Sequence, residues 1–441
     1  MKKRYLLILT LFLSLSAGSQ TLKEFPDDPG EFIRDLPLLY DNIKNEDLLF
    51  DIFFVIDSLT AEWQRGSFSQ EEKFYIIKAS KTLKDRRVKP FPGFYNFFSN
   101  ILYLHRDKGQ VEDWIQNLLE FEKEARFSQI NNFLEQYQRF FDLQILNNSG
   151  SFDWMVTDTS IVFEYDSVPR FLFKETDLYC ASRYDTSYIN GTSGVYYPEK
   201  GVWKGFGGKI TWRRFGISED TIYVDLQEYE IDLGHSNYDI DSVAFFDKRF
   251  FDMPMLGSFS EKVFSSRPNK NTAYPEFNSF LKNYTIKELF EGINYEGGVN
   301  LKGIRFIGSG DREKNALLSI RIEDDKNMFL RSKAFLISDD EIRANPASVV
   351  ISFGEDSLYH PGLKMKYEDG SRLLNLFRGE GGLSRSPFFN SYHKVDMFVE
   401  ALLWNLAEKE INFQSMFGIT RESIADFISN NFYSAYAFDR L

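Results

Sequence analysis

The chain has 441 residues, of which 43% are hydrophobic and 17% aromatic, with one cysteine and a net charge of −13. So acidic a surface repels phosphate backbones and anionic lipid, which excludes nucleic acid, and a membrane held by charge, as expected partners. A single thiol excludes an internal disulfide framework, so apolar burial must hold the core, and 45 phenylalanines supply it.

Met1-Lys2-Lys3-Arg4, an apolar run from Tyr5 to Leu15 and Ser16-Ala17-Gly18-Ser19-Gln20 make the three parts of a secretory signal peptide. Ala17 and Ser19 fit the small positions before the cut, which predicts a leader over 1–19, cleavage before Gln20 and export to the periplasm or cell surface. The run is shorter than the roughly 20 residues a helix needs to cross a bilayer. No later run reaches that length, so no transmembrane span is expected in the mature chain. No cysteine lies near the cut, so a lipid anchor is not expected either. Loss of Lys2, Lys3 and Arg4 with the leader makes the mature charge −16.

At about 150 residues per domain the remainder makes two or three. Residues 20–147 read as an α-helical domain. Leu48, Leu49, Ile52, Phe53, Ile56 and Leu59 recur at helical spacing. Ser69-Gln70-Glu71-Glu72 starts another helix, and Lys89-Pro90-Phe91-Pro92-Gly93 interrupts it. Phe94–Leu104, Val111–Phe121 and Ile130–Leu146 add three more. Their succession suggests helical hairpins in a bundle or a short solenoid, with Trp63, Trp114 and the many phenylalanines as core.

Asn147-Asn148-Ser149-Gly150-Ser151 is the expected boundary, because the apolar period then falls from about 3.6 to 2. Short alternating segments come next: Trp154–Val156, Ile161–Tyr165, Arg170–Phe173, Lys209–Trp212 and those around Val224, Ile231 and Val243. Frequent breaks favour a solenoid, sandwich or barrel over a parallel α/β sheet. The expected order is a first β part at 148–263, a polar connection at 264–292 with one helix or strand over Phe277–Leu289, and a second β part at 293–441. The fold class is therefore α+β: helical hairpins, then a β-solenoid, β-helix or elongated stacked sheet. In the second part, strands are expected at Ala316–Ile322, Met328–Ile337, Ser348–Phe353, Leu363–Tyr367 and Leu373–Phe377. Val395–Trp404 and Ile411–Met416 read as further strands, and Thr420–Leu441 as a helix. Either that tail is a cap on the stack, or the chain is the leading part of a longer protein.

No chemistry announces itself. Gly205-x-Gly207-Gly208 and Gly308-x-Gly310 fail both the dinucleotide and the P-loop patterns, and read as tight corners between strands. No cofactor is expected. The four histidines, His105, His235, His360 and His393, form no local metal pair. Asp356, His360, His393, Asp396 and Glu400 would make a catalytic or metal-binding cluster only if folding brought them together; otherwise they are satisfied turn residues. No catalytic, cofactor-binding or metal residue is therefore assigned. Glu323-Asp324-Asp325 precedes Lys326-Asn327 in a hairpin-like turn. Cys180 reads as a small buried apolar residue.

Asp57-Ser58-Leu59, Asp166-Ser167-Val168, Asp220-Thr221-Ile222, Asp241-Ser242-Val243 and Asp356-Ser357-Leu358 share an Asp–Ser/Thr–aliphatic pattern. It is similar to the O-glycosylation sequon on exported proteins of Bacteroidota; Asp-Ser is also a common entry to a turn. The Phe, Tyr, Asn and Lys-rich composition, with Tyr295-Glu296-Gly297-Gly298, Phe306–Gly310, Asp356–Gly362 and Ser386–His393, resembles large exported envelope proteins of that phylum without an assigned function. Ala334–Ile337 through Ala347–Ile351 also resembles OstA-type lipid-transport slabs. The first expectation is a non-enzymatic structural or binding scaffold of the periplasm or cell surface, with the helical domain as a docking module and envelope proteins or glycans as partners. The alternatives are a glycan-active enzyme on a β-helix, with acids and a histidine in one groove, and a lipid conduit with an apolar-lined open sheet.

Overall fold

The computed structural model describes residues 22–107, 109–158, 161–165, 168–269, 271–323, 326–408, 410–415 and 426–429. The signal peptide and its cleavage site lie outside them. So do Asp166-Ser167, Asp324-Asp325 and most of the expected C-terminal helix, within which Asp426–Ser429 is a strand.

Two compact units emerge. The first comprises residues to Tyr179, Gly191–Gly205 and Glu230–Gly234; the second comprises Cys180–Asn190, Phe206–Tyr229 and residues from His235 onward.

The first unit opens with six helices: α1 Pro29–Asp35, α2 Glu46–Gln64, α3 Gln70–Asp85, α4 Tyr95–Asp107, α5 Val111–Glu122 and α6 Phe127–Leu143. Local chemistry sets their ends. Asp28 and Asn45 accept from the first backbone amides of α1 and α2. Ser69 and Glu72 form the capping box expected ahead of α3. The Pro90–Phe94 turn, with Phe91 extended, separates α3 from α4. Each helix packs against the one two places along: α1 on α3, α2 on α4, α3 on α5 and α4 on α6. That is the stacking of a short solenoid rather than a closed bundle.

α6 stops at Leu143 because Gln144 takes the left-handed conformation at φ 58°. Strand geometry begins at once, at Ile145–Asn148. The expected boundary at Asn147–Ser151 is thus a hairpin turn, joining that strand to Phe152–Val156. The helices share a core with the neighbouring strands of the same unit. Tyr137 and Phe140 of α6 meet Phe171 at 4.4 and 5.3 Å between ring centroids. Phe171 meets Tyr196, and Phe173 meets Trp203. Trp63 and Trp114 are buried as expected, but Phe50, Phe54, Phe74 and Phe127 are exposed.

The second unit is a stack of antiparallel strands. Within it, three long strands organise the pairing: Ile293–Lys302, Glu341–Phe353 and Asp356–Glu368. Each pairs with different partners along its two halves. Ile293–Glu296 faces Leu317–Ile320, while Gly298–Lys302 faces Arg305–Ser309. Lys364–Glu368 faces Leu373–Phe377, while Leu358 and Tyr359 face Asn390 and Phe389. The ladders bend between the halves. In Glu341–Phe353 the register shifts around Pro346, whose missing N–H suits a bulge.

Burial alternates along these strands, as in Ile342 and Ala344, then Ala347, Val349 and Ile351. Rings from the two halves meet: buried Tyr295 with buried Phe306, half-buried Phe290 with buried Tyr367, and buried Phe388 with the exposed Phe413. The bent strands therefore form two facing layers over one apolar core. Glycine is required where they come closest. A Cβ at Gly308 would stand 2.5 Å from the Tyr295 ring, and one at Gly297 2.3 Å from the Tyr295 hydroxyl.

The α+β class is as expected. Of the β forms considered, the ladders make the elongated stacked sheet, because the pairing is antiparallel and a β-helix winds parallel strands. The 264–292 connection holds two strands, Glu276–Ser279 and Tyr284–Phe290.

Candidate functional site

The strand ladders decide whether the expected cluster forms. Phe389 pairs with both Tyr359 and Asp396, which puts these three in one row across the sheet. Tyr359 is exposed, so its neighbour His360 points the other way, into the core, where it is fully buried. Asp396 and His360 thus occupy opposite faces. Asp356 accepts from the Ser391 hydroxyl at 2.9 Å, an end-of-strand tie. His393 and Glu400 are exposed; the His393 amide donates to the Asn390 side chain. Among the described residues, no three His, Cys, Asp or Glu side chains are placed to hold a metal ion.

His360 is nonetheless well built. The Gly362 N–H donates to its Nδ1 at 3.0 Å, so the ring proton sits on Nε2 and is donated to the Ser386 carbonyl at 2.9 Å. Phe388 packs on the ring at 4.8 Å. Burial pushes the imidazole down from 6.5 to about 4; Arg378 adds to this, and the Ser386 carbonyl opposes it. A neutral histidine with both nitrogens bonded to backbone is a strand-to-loop fastener.

The densest polar cluster is not legible in the sequence. In the second unit, Arg214 inserts between two buried carboxylates. Its guanidinium lies 3.2 Å from Asp185 and 2.6 Å from Glu261. Asp185 also accepts from the Phe264 amide at 2.9 Å. Glu261 accepts from the Lys262 amide at 2.7 Å and the Ser187 hydroxyl at 3.0 Å. Burial raises the Glu261 carboxyl above its ordinary value, with the Arg214 charge working against the shift. All four carboxylate oxygens are engaged, so the cluster clasps three distant segments.

Two of the concavities among the described residues lie in the first unit. One, of about 390 Å³, runs along α3 and is lined by Asp27, Pro29, Phe74, Ile77, Lys78 and Lys81, with Asp27 paired to Lys81. The other, of about 140 Å³, is lined by Gln129, Gln136, Pro169, Pro198 and Glu199. Neither contains a histidine.

Of the glycines expected as corners, Gly205 and Gly308 instead lie within the strands Val202–Phe206 and Arg305–Ser309, while Gly207, Gly208 and Gly310 stand outside strands. Gly207 and Gly208 hold φ of 69° and 113°, and bond by backbone to Gln227 and Leu226. Gly310 donates to the Lys333 carbonyl. Cys180 is buried. Among the described residues no helix is long and apolar enough to cross a membrane. The two units define a class by architecture alone: a short helical solenoid sharing its core with strands, and a two-layer antiparallel stack. No known family, curated protein or solved structure matches the chain.

Proposed function

We propose that this chain is an exported, non-enzymatic scaffold of a bacterial cell envelope, with the helical solenoid as its docking module. The observation that supports this most is the stacking of α1–α6. Stacked helical pairs present long open surfaces suited to protein partners. The candidate catalytic residues are meanwhile tied into backbone fastenings or spread over opposite faces. An open apolar trough of the kind a lipid conduit needs is hard to fit between the layers, which are filled by Tyr295, Phe306, Phe388 and Tyr367. Export rests on the leader pattern. Glycosylation is supported best at Ser242, which lies with Asp241 on an exposed break in the ladder between Ile240 and Val243.

Fractionation of the native host tests the reading. The chain should leave the cytoplasm, begin at Gln20 and cross-link to envelope proteins. Retention in the cytoplasm with the leader intact, or turnover of any member of a glycan panel by the purified chain, overturns it.

A further inference from the structure

Helix α2 is apolar around much of its circumference, yet only one side is covered. Ile52, Val55, Ile56, Leu59 and Trp63 are buried. On the other side Asp47, Phe50, Asp51, Phe53, Phe54 and Asp57 are exposed, with Phe50 74% and Phe54 67% accessible. At 100° per residue these six span an arc of roughly 160°. A surface helix normally keeps that arc polar, and adjacent exposed rings mark an interaction site. Among the described residues the three rings make no ring contact and the three aspartates no ion pair. From Glu46 to Gln64 there are five acidic residues and no lysine or arginine.

We infer that this face of α2 docks a cationic amphipathic helix of a partner protein. The inference deepens the docking role proposed above and rests on it. Charge selects the occupant. A second copy of the chain would bring the same aspartates against these, and an anionic bilayer would be repelled in the same way. A cationic segment gains from all three carboxylates. Shape selects a helix, because Phe50 and Phe54 stand one turn apart, about 6 Å along the axis. That spacing matches apolar side chains three or four residues apart on a facing helix.

The probe is an 18-residue leucine/lysine peptide of helical period, titrated by fluorescence anisotropy against the full chain, with a leucine/glutamate peptide of equal length as control. The lysine peptide should bind, and more weakly at high salt. Its affinity should fall at least tenfold in Phe50→Ser/Phe54→Ser and in Asp47→Asn/Asp51→Asn/Asp57→Asn. Asp252→Asn/Glu355→Gln/Glu410→Gln, which removes the same charge elsewhere, should leave it unchanged. Hydrogen exchange should slow along α2 when the peptide is bound. Equal loss in the control variant, equal binding of the glutamate peptide, or concentration-dependent self-association abolished by the α2 substitutions overturns the inference. These outcomes concern one helix face, whereas fractionation and glycan turnover judge the scaffold reading, so the two fail separately.

Discussion

Acidification should unfasten His360, and the structure sets the size of the effect. Nδ1 receives the Gly362 N–H, so a second ring proton would point at a donor and break that bond. The folded chain therefore resists protonation until about pH 4. The unfolded chain takes up the proton as the pH falls through about 6.5. Between those values the unfolded form binds more protons, so stability is complete above about 6.5 and is lost as the pH drops towards 4. The gap between the two values corresponds to about 3 kcal/mol. Two measurements check this. With histidine labelled for NMR, the signal that vanishes in His360→Gln should not titrate between about pH 7.5 and 5. Urea unfolding should show wild type losing about 3 kcal/mol more than His360→Gln between pH 7 and 4. A His360 signal with a midpoint near 6.5, or equal pH slopes in the two proteins, refutes the argument.

Arg214→Met should cost about 3–5 kcal/mol, since it strands two buried carboxylates, and Arg214→Lys should recover only part because it cannot span both; a loss under 1 kcal/mol in thermal or urea unfolding would show that the clasp contributes little. Gly308→Ala forces a methyl to within 2.5 Å of the Tyr295 ring and should destabilise by about 1–3 kcal/mol, while the pair Gly308→Ala/Tyr295→Leu should recover part of this, as differential scanning calorimetry will show. Intact mass of the protein from its native host should equal the chain from Gln20 plus a glycan, lost in Ser242→Ala; a bare-chain mass removes the modification.

Local chemistry is readable where a few adjacent residues settle the outcome. The Ser69–Glu72 box, the proline break at 90–92 and the corner at Gly207-Gly208 act over one turn. The helix-to-strand change comes slightly earlier than periodicity suggests, because Ile145 and Leu146 continue an apolar run and only the backbone turn at Gln144 ends the helix. The site-level features are hidden for a different reason. Asp185, Arg214 and Glu261 are separated by 29 and 47 residues, and each alone looks like an ordinary surface charge. Alternation says that His360 and Tyr359 face opposite ways but not which faces inward, and that choice disperses the expected cluster.

Helix α2 shows the same limit most sharply. Leu48, Leu49, Ile52, Phe53, Ile56 and Leu59 make a convincing apolar stripe, and phenylalanine is normally core. Yet Phe50, Phe53 and Phe54 extend the apolar arc beyond what α4 and the Leu36–Tyr40 turn cover. Periodicity finds a stripe only when the other side is polar; when apolar residues exceed half the circumference, it cannot say which side the fold leaves open. The uncovered side is revealed by its neighbours instead. Asp47, Asp51 and Asp57 lie among the rings, and a face meant for this chain's own core would hardly carry three carboxylates without cations. Rings and acids on one arc are therefore best matched from outside, by a surface that is both apolar and positively charged.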